Sequence, residues 1–130
     1  MKNPLIYVFA VIMSAVSLTS CSDDDDKKPV SSSREIKYEV TGSTTATDMS
    51  ATYTANGGGT SVDITSLPWT YTYTADTDTY AGGFNFSAID AQPGDKVTLN
   101  VYQGETKLKS IDATADSDGI IVATVSATFN

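Results

Sequence analysis

The chain has 130 residues and a net charge of −8, and it contains no histidine and a single cysteine, Cys21. This acidity argues against nucleic acid as a partner, because binding to it depends on clusters of Lys and Arg that neutralise phosphates. The absence of histidine excludes Ser-His-Asp and Cys-His catalysis and the commonest zinc sites. We therefore expect a protein that is not an enzyme and does not bind nucleic acid.

Residues 1–20 have the composition of a secretory signal peptide, with Lys2 before an apolar run from Leu5 to Val16. This run is short for a segment that crosses a bilayer. The sequence Leu18-Thr19-Ser20-Cys21 resembles the lipobox of bacterial lipoproteins. The resemblance implies cleavage before Cys21 and attachment of lipid to its sulfur and its new amino group. This covalent lipid is the only cofactor that we expect, and it would attach the protein to a membrane.

An acidic run follows the cysteine and consists of Ser22, Asp23, Asp24, Asp25 and Asp26. It resembles the export signal of surface-exposed lipoproteins in a large group of Gram-negative gut bacteria. The resemblance implies a cell-envelope protein that is lipid-anchored in the outer membrane and exposed at the cell surface. The alternative is a solvated charge run that only extends the tether, with the protein retained on a periplasmic leaflet. Residues 21–33 are predicted to be the lipidated cysteine and its acidic, Ser-rich tether.

Residues 34–130 are predicted to form one small domain, with 12 acidic and 5 basic side chains. Polar and apolar residues alternate with the period of a half-buried β-strand, and no segment has helical periodicity. The predicted strands contain Ile36 to Val40, Met49 to Tyr53, Val62 to Ile64, Trp69 to Tyr73, Phe84 to Phe86, Val97 to Val101, Lys107 to Asp112, and Ile121 to Phe129. Seven or eight short strands favour an all-β, antiparallel β-sandwich of immunoglobulin-like architecture, with a small barrel as the alternative.

Local signals refine this prediction at three places. The sequence Asn56-Gly57-Gly58-Gly59 is typical of a tight hairpin. Pro68 marks the start of a strand or an edge strand, because proline cannot donate to a ladder. The alternation slips between Leu108 and Ile111, which predicts a β-bulge.

Two motifs resemble the extracytoplasmic domain of the MmpS family of transport accessory proteins. They are Tyr38-Glu39-Val40-Thr41-Gly42 and Ser66-Leu67-Pro68-Trp69-Thr70. The resemblance covers most of residues 34–123 and implies a β-sandwich outside the cytoplasmic membrane, beside a large lipid or siderophore exporter. The chain departs from the family because it has a lipoprotein leader in place of a transmembrane helix and lacks the family's cysteine pair.

Trp69, Tyr71 and Tyr73 alternate with threonines, so their side chains share one face of a strand. Such a row can be an aromatic platform that stacks on the sugar rings of a glycan. At this spacing in a sandwich, such residues are more often part of the core, with a tryptophan packed between the sheets. Tyr80 and Tyr102 are further candidate contact residues.

Asp112, Asp116 and Asp118 are weak candidates for a calcium site. Asp116-Ser117-Asp118-Gly119 resembles half of a calcium-binding loop. A full loop would need an acid in place of Thr114 and a glutamate in place of Val125. The sequence therefore favours a turn at this position.

These observations predict a non-catalytic cell-envelope lipoprotein with an MmpS-like accessory domain that docks onto another envelope component. The expected partners are the membrane, through the lipid anchor, and an envelope protein. The alternative is a surface-displayed module that binds a glycan or a host ligand.

Overall fold

The computed structural model describes residues 33–130. The predictions for the signal peptide, for Cys21 and for the acidic run from Ser22 to Asp26 lie outside the described residues. Within the described part, no helix is long and apolar enough to cross a membrane.

Eight antiparallel strands form two four-stranded sheets. The strands are β1 (Glu35–Ser43), β2 (Asp48–Ala55), β3 (Gly58–Ile64), β4 (Trp69–Thr74), β5 (Ala81–Ile89), β6 (Lys96–Gln103), β7 (Thr106–Thr114) and β8 (Ile121–Thr128). Sheet A has the order β4-β1-β6-β7, and sheet B has the order β3-β2-β5-β8. This arrangement confirms the predicted all-β sandwich.

The core lies between the sheets because each strand turns alternate residues inward. The largest fully buried side chains come from β1, β5, β6 and β8: Ile36, Tyr38, Val40, Phe86, Val97, Leu99, Val101 and Ile121. Burying a large apolar side chain stabilises the fold by roughly 1.5–3 kcal/mol, so this interdigitated layer is the main source of stability in a domain without a disulfide.

Three local predictions are confirmed. Asn56 and Gly57 have φ angles of 45° and 85°, as a two-residue hairpin turn of type I′ requires, and β3 begins at Gly58. Pro68 directly precedes β4, which is an edge strand of sheet A. Leu108 is the extra residue of a bulge, since Val101 pairs with Lys109 and Tyr102 with Lys107.

The antiparallel register divides the loops between two ends of the sandwich. The N-terminal pole contains residue 33, the turns 56–57, 75–80 and 104–105, and residue 130. The far pole contains loops 44–47, 65–68, 90–95 and 115–120. The point at which the predicted tether joins the domain is therefore opposite to four of its loops.

Arg34 fastens the N-terminal pole together. Its guanidinium donates hydrogen bonds to the carbonyls of Ala75, Asp76, Thr79 and Asn130. The amide of Gln103 adds bonds of 2.9 Å to the carbonyl of Ser33 and 3.0 Å to that of Asn130. Both ends of the described chain are thereby held at one pole.

Candidate functional site

Trp69, Tyr71 and Tyr73 lie on the inner face of β4, where they are half-buried and pack against the core. The ring of Tyr71 is stacked on Tyr53 of β2 with a centroid distance of 4.0 Å and an interplanar angle of 28°. Tyr73 is stacked beside Tyr71 at 6.0 Å, and Trp69 is tilted against Phe84, also at 6.0 Å. Neighbouring rings thus engage this aromatic cluster, which favours packing over a sugar platform.

Tyr38 lies at the centre of the aromatic cluster. Its hydroxyl donates a 2.8 Å hydrogen bond to the carbonyl of Thr54 and lies 3.2 Å from the hydroxyl of Tyr73. Burial raises the pKa of Tyr38, and the hydrogen bond with Tyr73 raises it further. Burial also raises the pKa values of Tyr53 and Tyr73. These groups stay neutral well into the alkaline range, which suits a structural hydroxyl network.

The structure does not bring the three candidate calcium ligands into one cluster. Asp112 lies 2.9 Å from the ammonium of Lys96 and accepts a 2.7 Å bond from the hydroxyl of Thr98, and these contacts lower its pKa. Asp116 accepts the backbone N–H groups of Asp118 and Ile120, each at 2.9 Å. Within residues 33–130, no group of three or more acidic or Cys side chains could hold a metal ion. Asp116 forms the turn that the sequence favours.

Asp95 stabilises the far pole, a role that sequence reasoning missed. Its Oδ2 accepts the N–H of Thr45 at 2.8 Å, the hydroxyls of Thr45 and Thr44 at 3.0 and 3.1 Å, and the N–H of Gln92 at 3.2 Å. The bond from the Thr45 backbone is the largest of the effects that lower the pKa of Asp95. One carboxylate thus joins the β1–β2 loop to the β5–β6 loop.

The outer face of sheet A carries a polar network that is also absent from the predictions. Oε2 of Glu39 accepts hydrogen bonds of 3.1 Å from both Asn100 and Tyr102, and Lys37 lies 3.7 Å from the other carboxylate oxygen. The Lys37 ammonium is 4.2 Å from the centroid of the Tyr102 ring. Because these groups satisfy one another, the network is complete without a ligand.

Three exposed apolar side chains form a patch on the outer face of sheet B at the far pole. Ile89 is 45% exposed, Ile120 40% and Val122 64%. Ala88 pairs with Ile121, so Ile89 lies beside Ile120, and Val122 follows on the same face. We call these three residues the apolar patch. Val122 is the signal that the sequence offers, because it interrupts the polar positions of β8.

The basic residues of the described part lie on one side of the sandwich, whereas acidic residues occur on both. All five basic residues of the described part, Arg34, Lys37, Lys96, Lys107 and Lys109, lie in the strands of sheet A or directly before β1. The strands of sheet B contain only acidic charges, Asp48 and Asp63, and the far-pole loops add Asp90, Asp95, Asp116 and Asp118. The apolar patch therefore lies in a wholly acidic half of the domain.

Comparison of the chain with protein-family models, with curated proteins and with solved structures found no match. The resemblance to the MmpS family accordingly stays a prediction that rests on the two motifs.

Proposed function

We propose that this protein is a non-catalytic lipoprotein of the outer membrane, displayed at the cell surface, whose sandwich docks onto another envelope protein. The lipid on Cys21 would hold the N-terminal pole towards the membrane. The apolar patch on the far pole would then be presented to the partner. The MmpS-like motifs support an accessory role of this kind, since that family works beside a larger protein.

The observation that carries the docking proposal is the grouping of Ile89, Ile120 and Val122 on an otherwise polar sheet face. Apolar side chains that are grouped on the surface and rimmed by polar residues are typical of interaction sites. Apart from Asp48, the surrounding side chains of sheet B are short Ser and Thr residues, and some of them bond to each other, such as Ser50 with Ser87 at 2.9 Å. They leave the patch unobstructed.

Charge complementarity indicates the chemistry of the partner. Asp48 and Asp90 lie next to Ile89, and Asp118 precedes Ile120 by two residues. No basic side chain of sheet B offsets them. We infer a partner surface with apolar residues at its centre and Lys or Arg at its rim, so that attraction between opposite charges directs the approach.

A photo-crosslinking amino acid at position 122 tests the docking surface in living cells. We expect one predominant protein adduct from position 122, and that adduct should weaken when Ile89→Asp is added. The matched control places the same amino acid at position 107, an exposed position on β7 at the opposite edge of sheet A from β4. Adducts of the same pattern from both positions, or an adduct that Ile89→Asp leaves unchanged, would refute docking through the patch.

The lipid anchor and the location at the cell surface are tested by separate experiments. We expect labelled palmitate to enter the unchanged chain and not Cys21→Ser, which should be released from membranes. Protease added to intact cells should digest the domain, and replacement of Asp23 to Asp26 by Ala should protect it. Full protection of the unchanged chain would contradict surface display, and Cys21→Ser that retains the label would contradict the lipid anchor.

A further inference from the structure

The four edge strands of the sandwich differ in how they are protected against pairing with another strand. The edge of β7 carries Lys107, Lys109 and Asp112 and is interrupted by the bulge at Leu108. β8 is covered, because β7 and β8 pack against each other more extensively than any other two strands from opposite sheets. β3 contains Gly58, Gly59 and Asp63. Charges, bulges and cover are the usual devices that prevent edge-to-edge association.

β4 has none of these devices. It reads Trp69-Thr70-Tyr71-Thr72-Tyr73-Thr74, with no charge and no bulge, and within residues 33–130 its one pairing partner is β1. Its residues are strong β-formers. Its inner side chains are only half-buried, so part of the aromatic cluster remains open to solvent at this side of the sandwich.

The register shows which backbone groups point away from β1. The N–H of Ala75 donates to the carbonyl of Arg34, so the backbone groups of Tyr73, Tyr71 and Trp69, at every second position, also face β1. The N–H and C=O groups of Thr70 and Thr72 face outward, where no strand of the described part of the chain pairs with them. At Thr74 the carbonyl is already bonded to the side-chain amide of Asn56 at 3.0 Å.

We propose that β4 pairs with β4 of a second copy of this chain, in antiparallel orientation about a two-fold axis at Tyr71. Thr70 of each copy then lies opposite Thr72 of the other and exchanges both backbone hydrogen bonds with it. The axis at Tyr71 uses every outward group of Thr70 and Thr72 and leaves the bond between Asn56 and Thr74 intact. Sheets A of the two copies become one continuous sheet.

The sequence of β4 is self-complementary about this axis. Threonine meets threonine on the outer face, Tyr71 meets Tyr71, and Trp69 meets Tyr73 on the inner face. Aromatic cross-strand pairs of this kind stabilise a sheet. The two aromatic clusters also cover each other's open sides. An interface whose two halves are the same patch is the usual form of a homodimer.

Salt should strengthen this association. The strand itself is neutral, but each domain carries 12 acidic and 5 basic side chains, so two copies repel each other at long range. Added salt screens that repulsion and leaves the backbone hydrogen bonds and ring contacts in place. Docking of the acidic apolar patch onto a basic partner should respond in the opposite direction.

The test mixes two full-length variants in detergent, Thr70→Cys and Thr72→Cys, and oxidises them. We expect the mixture to yield more disulfide-linked dimer than either variant alone, because the two-fold axis places position 70 opposite position 72. The unchanged chain, whose only cysteine is Cys21, measures cross-linking outside β4. Equal yields from the mixture and from the separate variants would overturn the proposed register.

Sedimentation of the unchanged chain provides the second readout. We expect a monomer–dimer equilibrium that shifts towards the dimer with concentration and salt, and Thr72→Pro should abolish it by removing an outward N–H. If the circular dichroism spectrum shows that Thr72→Pro is unfolded, Thr72→Glu is used in its place. Its carboxylate lies beside Lys37 of β1, so the fold should tolerate it while the edge of β4 gains a charge. A monomer under all conditions, or a β4 edge that captures only a peptide of another protein, would overturn the pairing of two copies.

Discussion

Gly82 of β5 lies directly against the hydroxyl of Tyr38. A Cβ atom at Gly82 would be 2.4 Å from the Tyr38 oxygen, 3.0 Å from Cζ of Phe129 and 3.1 Å from the Tyr73 hydroxyl. Tyr38 is fully buried and cannot move aside cheaply. The absence of a side chain at Gly82 is therefore what admits the two tyrosine hydroxyls between the sheets.

Gly82→Ala should lower the free energy of unfolding by about 1–3 kcal/mol, the usual cost of overpacking a core. Urea unfolding measures the change. Gly58→Ala is the matched control, because the nearest atom to its added Cβ is 3.8 Å away. The double variant Gly82→Ala/Tyr38→Phe lacks the hydroxyl that makes the closest clash. Its loss in free energy of unfolding should therefore be smaller than the sum of the losses of the two single variants. Full additivity would place the strain elsewhere.

Stability should fall in alkaline solution. Burial raises the pKa of Tyr38 above its ordinary value of about 10, so the folded protein keeps a proton that the unfolded chain loses first. The contribution of Tyr38 to stability is therefore fully present below about pH 10 and is lost as the pH rises through the folded pKa. Tyr38→Phe should flatten this dependence, although loss of the bond to Thr54 lowers stability at neutral pH. An unchanged alkaline slope in urea unfolding would disprove the assignment to Tyr38.

Acid should weaken the far pole through Asp95. Its pKa is lowered in the folded state, so the unfolded chain takes up a proton first as the pH falls. The contribution is present above about pH 4 and disappears as the pH drops through the folded pKa. Asp95→Asn should remove part of the acid dependence of unfolding. Asp95→Asn should also speed the hydrogen exchange of the Thr45 backbone N–H, which donates to this carboxylate. The control is Asp78→Asn, in an exposed loop at the other pole, which should change neither the acid dependence nor this exchange rate.

Arg34→Met should loosen the N-terminal pole. The variant loses the hydrogen bonds to the carbonyls of Ala75, Asp76, Thr79 and Asn130. Hydrogen bonds made by a charged group contribute about 1.5–3 kcal/mol, and a loss in that range is expected in urea unfolding. Proteolysis should also begin earlier in residues 75–80. Lys109→Met, an exposed change on β7, controls for the lost charge, and equal effects of both variants would count against a specific role of Arg34.

The strands could be predicted from the sequence because side-chain alternation is a local property. The hairpin at Asn56-Gly57 and the bulge at Leu108 depend on a few neighbouring residues and were predicted for the same reason. The pairing could not be predicted. Five of the seven connections cross between the sheets, so most strands pair with a strand that does not follow them in sequence.

The candidate site was predicted less well than the fold. Trp69, Tyr71 and Tyr73 were correctly placed on one face, but periodicity does not state what covers that face. The contact of Gly82 with Tyr38 and the hydrogen bonds of Asp95 join residues that are far apart in sequence, so no local sequence pattern predicts them. Val122 could have been found, because the buried positions Ile121 and Ala123 place it on the opposite face.

The strand that follows residue 33 is one of the two inner strands of sheet A. β1 is paired along one side with β4 and along the other with β6, and both ladders run antiparallel to it. A pull that reaches the domain through residue 33, along the strand, would have to shear both ladders at once, whereas an edge strand could be peeled away one bond at a time. Drag on a copy held by the proposed anchor would therefore be resisted by two ladders at once, so the load would reach the fold through an inner strand and not through an edge strand.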